Sequence, residues 1–146
     1  MMRGDSGAMS DVTLALGKAG FVLFTLGLLI GAFIPKFRNR RMGLSAHLTA
    51  VQAGTFLIAV GLFWQYLSIP MVWHPMMAYA LLASSYALVI GLVLAAALGA
   101  SRVLPIAGEG FAATKSQELI VAVIVLASST VMFVVCVGIC FFMVVG

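Results

Sequence analysis

The stretch Leu14–Arg41, LALGKAGFVLFTLGLLIGAFIPKFRNRR, decides how the rest of the chain is read. From Leu14 to Ile34 it is almost wholly apolar, with a single charge, Lys18, near its start. That is a bilayer-crossing length for a helix, which needs about 20 such residues, and it exceeds the usual hydrophobic core of a cleavable signal. Pro35 ends the run, and Lys36, Arg38, Arg40 and Arg41 follow within a few residues. Basic residues crowded just after a spanning segment mark the cytoplasmic side of a membrane.

Composition extends this reading to the whole chain. Of 146 residues, 64% are hydrophobic and 8% charged, against about 25% charged in a typical soluble domain. Too little polar surface exists to clothe a soluble globule, and the mean hydropathy of +1.21 agrees. The net charge of +4 does not indicate a nucleic-acid partner. Half of the eight Lys and Arg residues lie in the one short basic stretch, where topology accounts for them.

Four spans are expected, at about 14–34, 44–67, 75–100 and 117–145, giving an all-α integral membrane four-helix bundle. Residues 1–13 form a short tail before this single domain. Ser45 is the expected N-cap of the second span. The connection after the first span is basic, that from Ser68 to His74 has no Lys or Arg, and the third, Ser101–Ser116, holds Arg102, Glu109 and Lys115. Loops one and three therefore belong on the cytoplasmic face of a bacterial inner membrane. Trp64, Tyr66 and Trp73 cluster around the second loop, as interfacial aromatics do. Gly27-x-x-x-Gly31 on the first span is a pattern that lets membrane helices approach closely. Cys136 and Cys140 fall on one face of the fourth span and read as small hydrophobes rather than a disulfide or metal site.

Polar groups inside a membrane are costly, so each is a functional candidate. The second span offers His47, Thr49, Gln52 and Thr55; the third offers Tyr79, Ser84, Ser85 and Tyr86; the fourth offers Ser128, Ser129 and Thr130. No acidic residue lies deep in a span, which argues against a proton- or cation-coupled transporter and against a Ser-His-Asp triad. No P-loop, Gly-x-Ser-x-Gly or zincin motif occurs. His47, expected in the first turn of the second span, is the most informative residue, because a neutral imidazole there can ligate a metal or haem; the alternative is an interhelical hydrogen bond. A whole span separates it from His74, so one chain cannot clamp a haem between its two histidines, whereas a single-ligand haem with an open position stays possible. The Tyr86 hydroxyl can reach either a substrate oxygen or another helix.

The segment Phe37-Arg38-Asn39-Arg40-Arg41-Met42-Gly43-Leu44-Ser45-Ala46-His47-Leu48 resembles the start of the second helix in hydroxylaminobenzene mutases, as does Pro105-Ile106-Ala107-Gly108-Glu109-Gly110 followed by Gln117-Glu118. The size and layout are similar to those mutases and to the related styrene oxide isomerases, over roughly Gly17–Ser128. The resemblance implies a homotrimer with haem b between neighbouring subunits and His47 as the axial iron ligand. It implies a small apolar aromatic substrate. Ferric iron would act as a Lewis acid on an aryl epoxide, which opens to a benzylic cation and becomes an aldehyde by hydride shift (a Meinwald rearrangement). In the mutase branch the oxygen of an N-aryl hydroxylamine moves to the ring and gives an aminophenol. A dry bundle would keep water from such a cation.

One position departs from the family. An asparagine is expected six residues after the histidine, and Ala53 stands there. Gln52 and Thr55 are the candidate replacements, although one residue along a helix turns Gln52 by about 100°. Tyr86 is the candidate for the family tyrosine. The competing non-enzymatic reading is a small membrane anchor or transporter subunit, which would have no need of His47.

Overall fold

A computed structural model describes residues 3–145 of the backbone and the side chains from Asp11 onward. It comprises α1 (Arg3–Phe33), α2 (Arg40–Phe63), α3 (His74–Leu98), the single turn α4 (Pro105–Gly108) and α5 (Lys115–Val145), with three short 3-10 turns and, among the described residues, no strand. Four helices are long and apolar enough to cross a membrane: Asp11–Lys36, Arg40–Tyr66, Met71–Leu98 and Lys115–Val145. The protein is thus all-α with the fold of a multi-pass membrane protein. The first helix starts at Arg3, so the residues expected as a separate tail are helical from that point.

Local chemistry sets the helix ends. Pro35 opens a 3-10 turn over Ile34–Lys36 that closes α1. The N-cap of α2 is Asn39, not Ser45: its Oδ1 accepts the Met42 N–H at 3.1 Å, and Ser45 lies inside the helix, donating to the Arg41 carbonyl. This cap satisfies an N–H left without a partner in the first turn. Gly99 ends α3 with φ +75°, where a side chain would be strained, and its N–H returns to the Ala95 carbonyl. Thr114 and Gln117 form a reciprocal capping box before α5, with Thr114 N–H to Gln117 Oε1 at 3.1 Å and Gln117 N–H to Thr114 Oγ1 at 3.3 Å.

Helices α1 and α2 form an antiparallel hairpin joined by small residues. A Cβ on Gly54 would lie 2.5 Å from the Phe24 nitrogen, and one on Gly20 would lie 2.7 Å from the Gly54 carbonyl. Backbones this close leave no room for side chains, and in lipid such packing, rather than the hydrophobic effect, drives helix association. Helix α3 packs on this hairpin, burying Leu81, Val89 and Ala96. Among the described residues the backbone of α5 approaches that of α3 but not that of α1 or α2, which sets α5 at one side of the bundle, while its Val121 and Val125 join Met42 and Ala46 of α2 in one buried cluster.

One end of the bundle is tied together by loops one and three. Asn39 is fully buried; its N–H donates to the Ala96 carbonyl at 3.0 Å and its Nδ2 to the Ala107 carbonyl at 2.8 Å. Arg38 caps α3 by donating to the Leu98 carbonyl at 2.8 Å. The Glu118 carboxylate accepts the N–H groups of Ser101, Arg102 and Ala113. The second loop lies at the other end, where Trp64 and His74 are buried. Trp64 is thus a core residue and not the interfacial aromatic expected; Tyr66 and Trp73 are exposed.

Candidate functional site

His47 is eight residues into α2, about two turns rather than one from its start. The helix dipole acts within the first turn, so it is not what sets the state of this ring. The neighbouring helix does. His47 Nδ1 lies 2.7 Å from the Gly27 carbonyl oxygen. A carbonyl only accepts, so the shared proton belongs on Nδ1, and Nε2 is the nitrogen left to carry a lone pair in the neutral ring form. The ring rests on Gly31, where a Cβ would come within 2.8 Å of Nδ1. The Gly27-x-x-x-Gly31 pattern is thus more than a packing motif: its first member accepts the imidazole proton and its second makes room for the ring.

His47 is half-buried, and its flank of α2 is apolar, with Leu44 and Leu48 exposed. This donor set fits a single protein ligand to a haem iron. One nitrogen is oriented by the Gly27 carbonyl, the other is available, and the surroundings would suit an apolar macrocycle. Among the described residues no three His, Cys, Asp or Glu gather as a metal site.

The other candidates are not beside His47. Tyr86 is half-buried and donates its hydroxyl hydrogen to the Ala19 carbonyl at 2.8 Å, tying α3 to α1. It lines a slot of about 530 Å³ between α1 and α3, together with Leu23, Ile30, Phe33, Val93 and Lys36. His47 does not line this slot. On α1, Leu23, Leu26, Ile30 and Phe33 stand roughly 60–140° around the helix from the Gly27–Gly31 edge. A single subunit therefore holds His47 and Tyr86 on different sides of α1. Gln52 and Thr55 are exposed on α2, and the Thr55 hydroxyl is turned back to the Val51 carbonyl. Ala53, in the expected asparagine position, is buried against the core.

Of the remaining polar residues of the spans, Tyr79, Ser129 and Thr130 are exposed, and three serines are turned back onto their own helices. Ser84 and Ser85 both donate to the Leu81 carbonyl, and Ser128 to Ile124. His74 opens α3, accepting from Trp64 and bonding the Ile69 carbonyl. Cys136 and Cys140 are free thiols. Sequence reasoning did not find the Gly27–His47 partnership. Its signal was the register of the hairpin, since counting outward from the turn at Pro35–Asn39 sets Gly27, eight residues before Pro35, opposite His47, eight residues after Asn39.

Residues 13–144 match the family model described as "Styrene oxide isomerase". The chain is 36% identical over 119 residues to Hydroxylaminobenzene mutase HabA of Ectopseudomonas oleovorans, covering 81% of this chain and 88% of the relative. It is 38% identical over 130 residues to Hydroxylaminobenzene mutase HabB of the same organism, covering 87% and 79%. No solved structure matches. A four-span helical chain, a histidine with one oriented and one free nitrogen, and these matches together identify the chain as an isomerase belonging to the styrene oxide isomerase family.

Proposed function

We propose that this membrane isomerase uses ferric haem b, held by His47, to rearrange a small aryl epoxide to an aldehyde. The observation that carries the reading is the His47–Gly27 contact, which leaves Nε2 free on an apolar flank. Ferric haem supplies a Lewis acid for the substrate oxygen. The chain's own residues do the rest. Gly27 and Gly31 hold the imidazole, and the apolar side chains of α1, α2 and α3 keep water from a carbocation. The reaction is redox-neutral: the benzylic C–O bond breaks, a hydride migrates from the adjacent carbon, and that carbon keeps the oxygen as an aldehyde.

The separation of His47 from Tyr86 within one subunit supports a homotrimer. A head-to-tail interface closing on itself sets different faces of neighbouring subunits together, and one that seats the α1–α2 flank of one subunit on the α1–α3 slot of the next would complete the site. Tyr86 then borders the substrate and stiffens the slot through Ala19. Gln52 and Thr55 supply the exposed polar groups of α2 nearest in sequence to the missing asparagine.

A second reading is favoured by the two relatives, both hydroxylaminobenzene mutases: it is conversion of an N-aryl hydroxylamine to an aminophenol. It uses the same histidine and apolar surroundings. The deciding experiment is an assay of the haem-loaded protein with styrene oxide and, separately, phenylhydroxylamine. Phenylacetaldehyde as the main product supports the first reading; aminophenol with inert styrene oxide replaces it by the second. A protein that binds no haem yet turns over either substrate removes the iron from both.

A further inference from the structure

The hairpin register puts two glycines of α1 against the one histidine with an available nitrogen. We infer that Gly31, together with the Gly27 carbonyl, is a positioning element for His47 that fixes both its tautomer and the direction of its Nε2. The inference rests on His47 being the haem ligand. Two independent features support it. The Nδ1–carbonyl distance of 2.7 Å is that of a full hydrogen bond. The position four residues on can carry a Cβ only if the ring shifts, because the nearest atoms would be Nδ1 at 2.8 Å and Cε1 at 3.0 Å. One helical turn separates the two glycines, so the same edge of α1 both accepts the proton and receives the ring face.

A glycine in a helix interior is destabilising relative to alanine. Close backbone packing explains Gly20 and Gly54, whose missing Cβ atoms would meet the opposite backbone. It does not explain Gly31, whose neighbour is a side chain ring. That ring would have to tilt away from Gly31→Ala, stretching the bond to Gly27 and re-aiming Nε2.

The test compares full-length haem-loaded wild type, Gly31→Ala, Gly20→Ala and Gly17→Ala in detergent. Two quantities are read: haem affinity, and the iron–histidine stretching band of the ferrous protein in resonance Raman, which responds to the hydrogen bond on Nδ1. Gly31→Ala is expected to lower haem affinity by about 10–100-fold, the usual range for changes to the groups that orient a metal ligand, and to move the band to lower wavenumber. Gly17→Ala, where nothing lies within 4 Å, should leave both unchanged. Gly20→Ala strains the helix pair away from the histidine and should leave the band in place. A Gly31→Ala protein with wild-type affinity and an unmoved band overturns the inference. A wild type lacking any iron–histidine band that His47→Gly removes overturns the ligand reading instead. Should Gly31→Ala fail to fold, histidine ¹⁵N NMR of the haem-free wild-type chain decides: His47 protonated on Nδ1 supports the positioning role, and on Nε2 refutes it.

Discussion

The indole nitrogen of Trp64 donates to Nδ1 of His74 across 3.0 Å, with the two rings edge-to-face at 5.7 Å between centroids. Both side chains are buried, and the second nitrogen of His74 bonds the Ile69 carbonyl at 2.7 Å. Every polar atom of this pair is occupied. His74 accepts on one nitrogen and donates from the other, so no lone pair remains for a ligand. The two histidines thus divide by their hydrogen bonds: His47 keeps a nitrogen free, and His74 does not.

The variants His47→Ala and His74→Ala should fail in opposite ways. His74→Ala leaves the Trp64 N–H and the Ile69 carbonyl buried without partners, at about 1–3 kcal/mol for each unsatisfied group. Its melting point should fall while the surviving folded protein keeps its Soret band. His47→Ala frees only the Gly27 carbonyl, so it should melt near wild type yet lose haem and turnover. Soret absorbance and thermal denaturation on both variants check this. Haem retained in His47→Ala would end its assignment as ligand.

Asn39 should matter more than its place in a polar loop suggests. Its side chain caps α2 and reaches Ala107, while its N–H reaches Ala96. Asn39→Ala loses the cap, worth about 0.5–2 kcal/mol, and leaves the Ala107 carbonyl short of a donor. Asn39→Ser can restore the cap but not the reach to Ala107. Stability in denaturant titration should rank wild type above Asn39→Ser above Asn39→Ala. Equal midpoints for Ser and Ala would mean that the cap contributes nothing.

The number and approximate limits of the spans were legible because the bilayer imposes one strong rule, about 20 apolar residues between polar stretches. Pro35 and the basic run marked the first turn correctly. Helix starts were less legible: Asn39 and Ser45 are both good caps by residue type, and only the packing of Asn39 under Ala96 and Ala107 separates them. Trp64 was misplaced because tryptophan suits an interface and a hydrogen-bonded core equally well, and the distinction lies in His74 ten residues away. At the site, His47 stood out by type alone. The partnership with Gly27 and Gly31 did not, because a small-residue motif looks the same whether it receives a backbone or a ring.

The third loop should depend on a single carboxylate. Glu118 gathers three backbone N–H groups from both ends of the segment Ser101–Ala113, and this many charge-assisted bonds order a loop that contains Pro105, Gly108 and Gly110. Glu118→Ala should expose Arg102 and Lys115 to trypsin at least about tenfold faster, since roughly 1.4 kcal/mol of local opening gives that factor. Glu118→Gln, which keeps the acceptor but not the charge, should fall between. A Glu118→Ala protein cleaved at the wild-type rate would mean that α4 and the Asn39–Ala107 bond hold the loop unaided.

Orientation in the membrane follows from the same loops. Asn39 and Arg38 bind the end of α3 and the third loop, so loops one and three share an end of the bundle and the second loop occupies the other. Lys36, Arg38, Arg40, Arg41, Arg102 and Lys115 lie at the first end, and the positive-inside tendency predicts that this end faces the cytoplasm. In a chain whose Cys136 and Cys140 are replaced by alanine, single cysteines at Val72 and Ala112 probe the two ends, and both positions are exposed. A membrane-impermeant maleimide applied to intact cells, with the outer membrane made permeable, should label Val72→Cys at once and Ala112→Cys only after lysis. The reverse pattern would invert the topology and set the basic loops outside. Labelling of both in intact cells would mean that two orientations coexist, as expected only if the charge bias of Lys36, Arg38, Arg40 and Arg41 were too weak to choose between them.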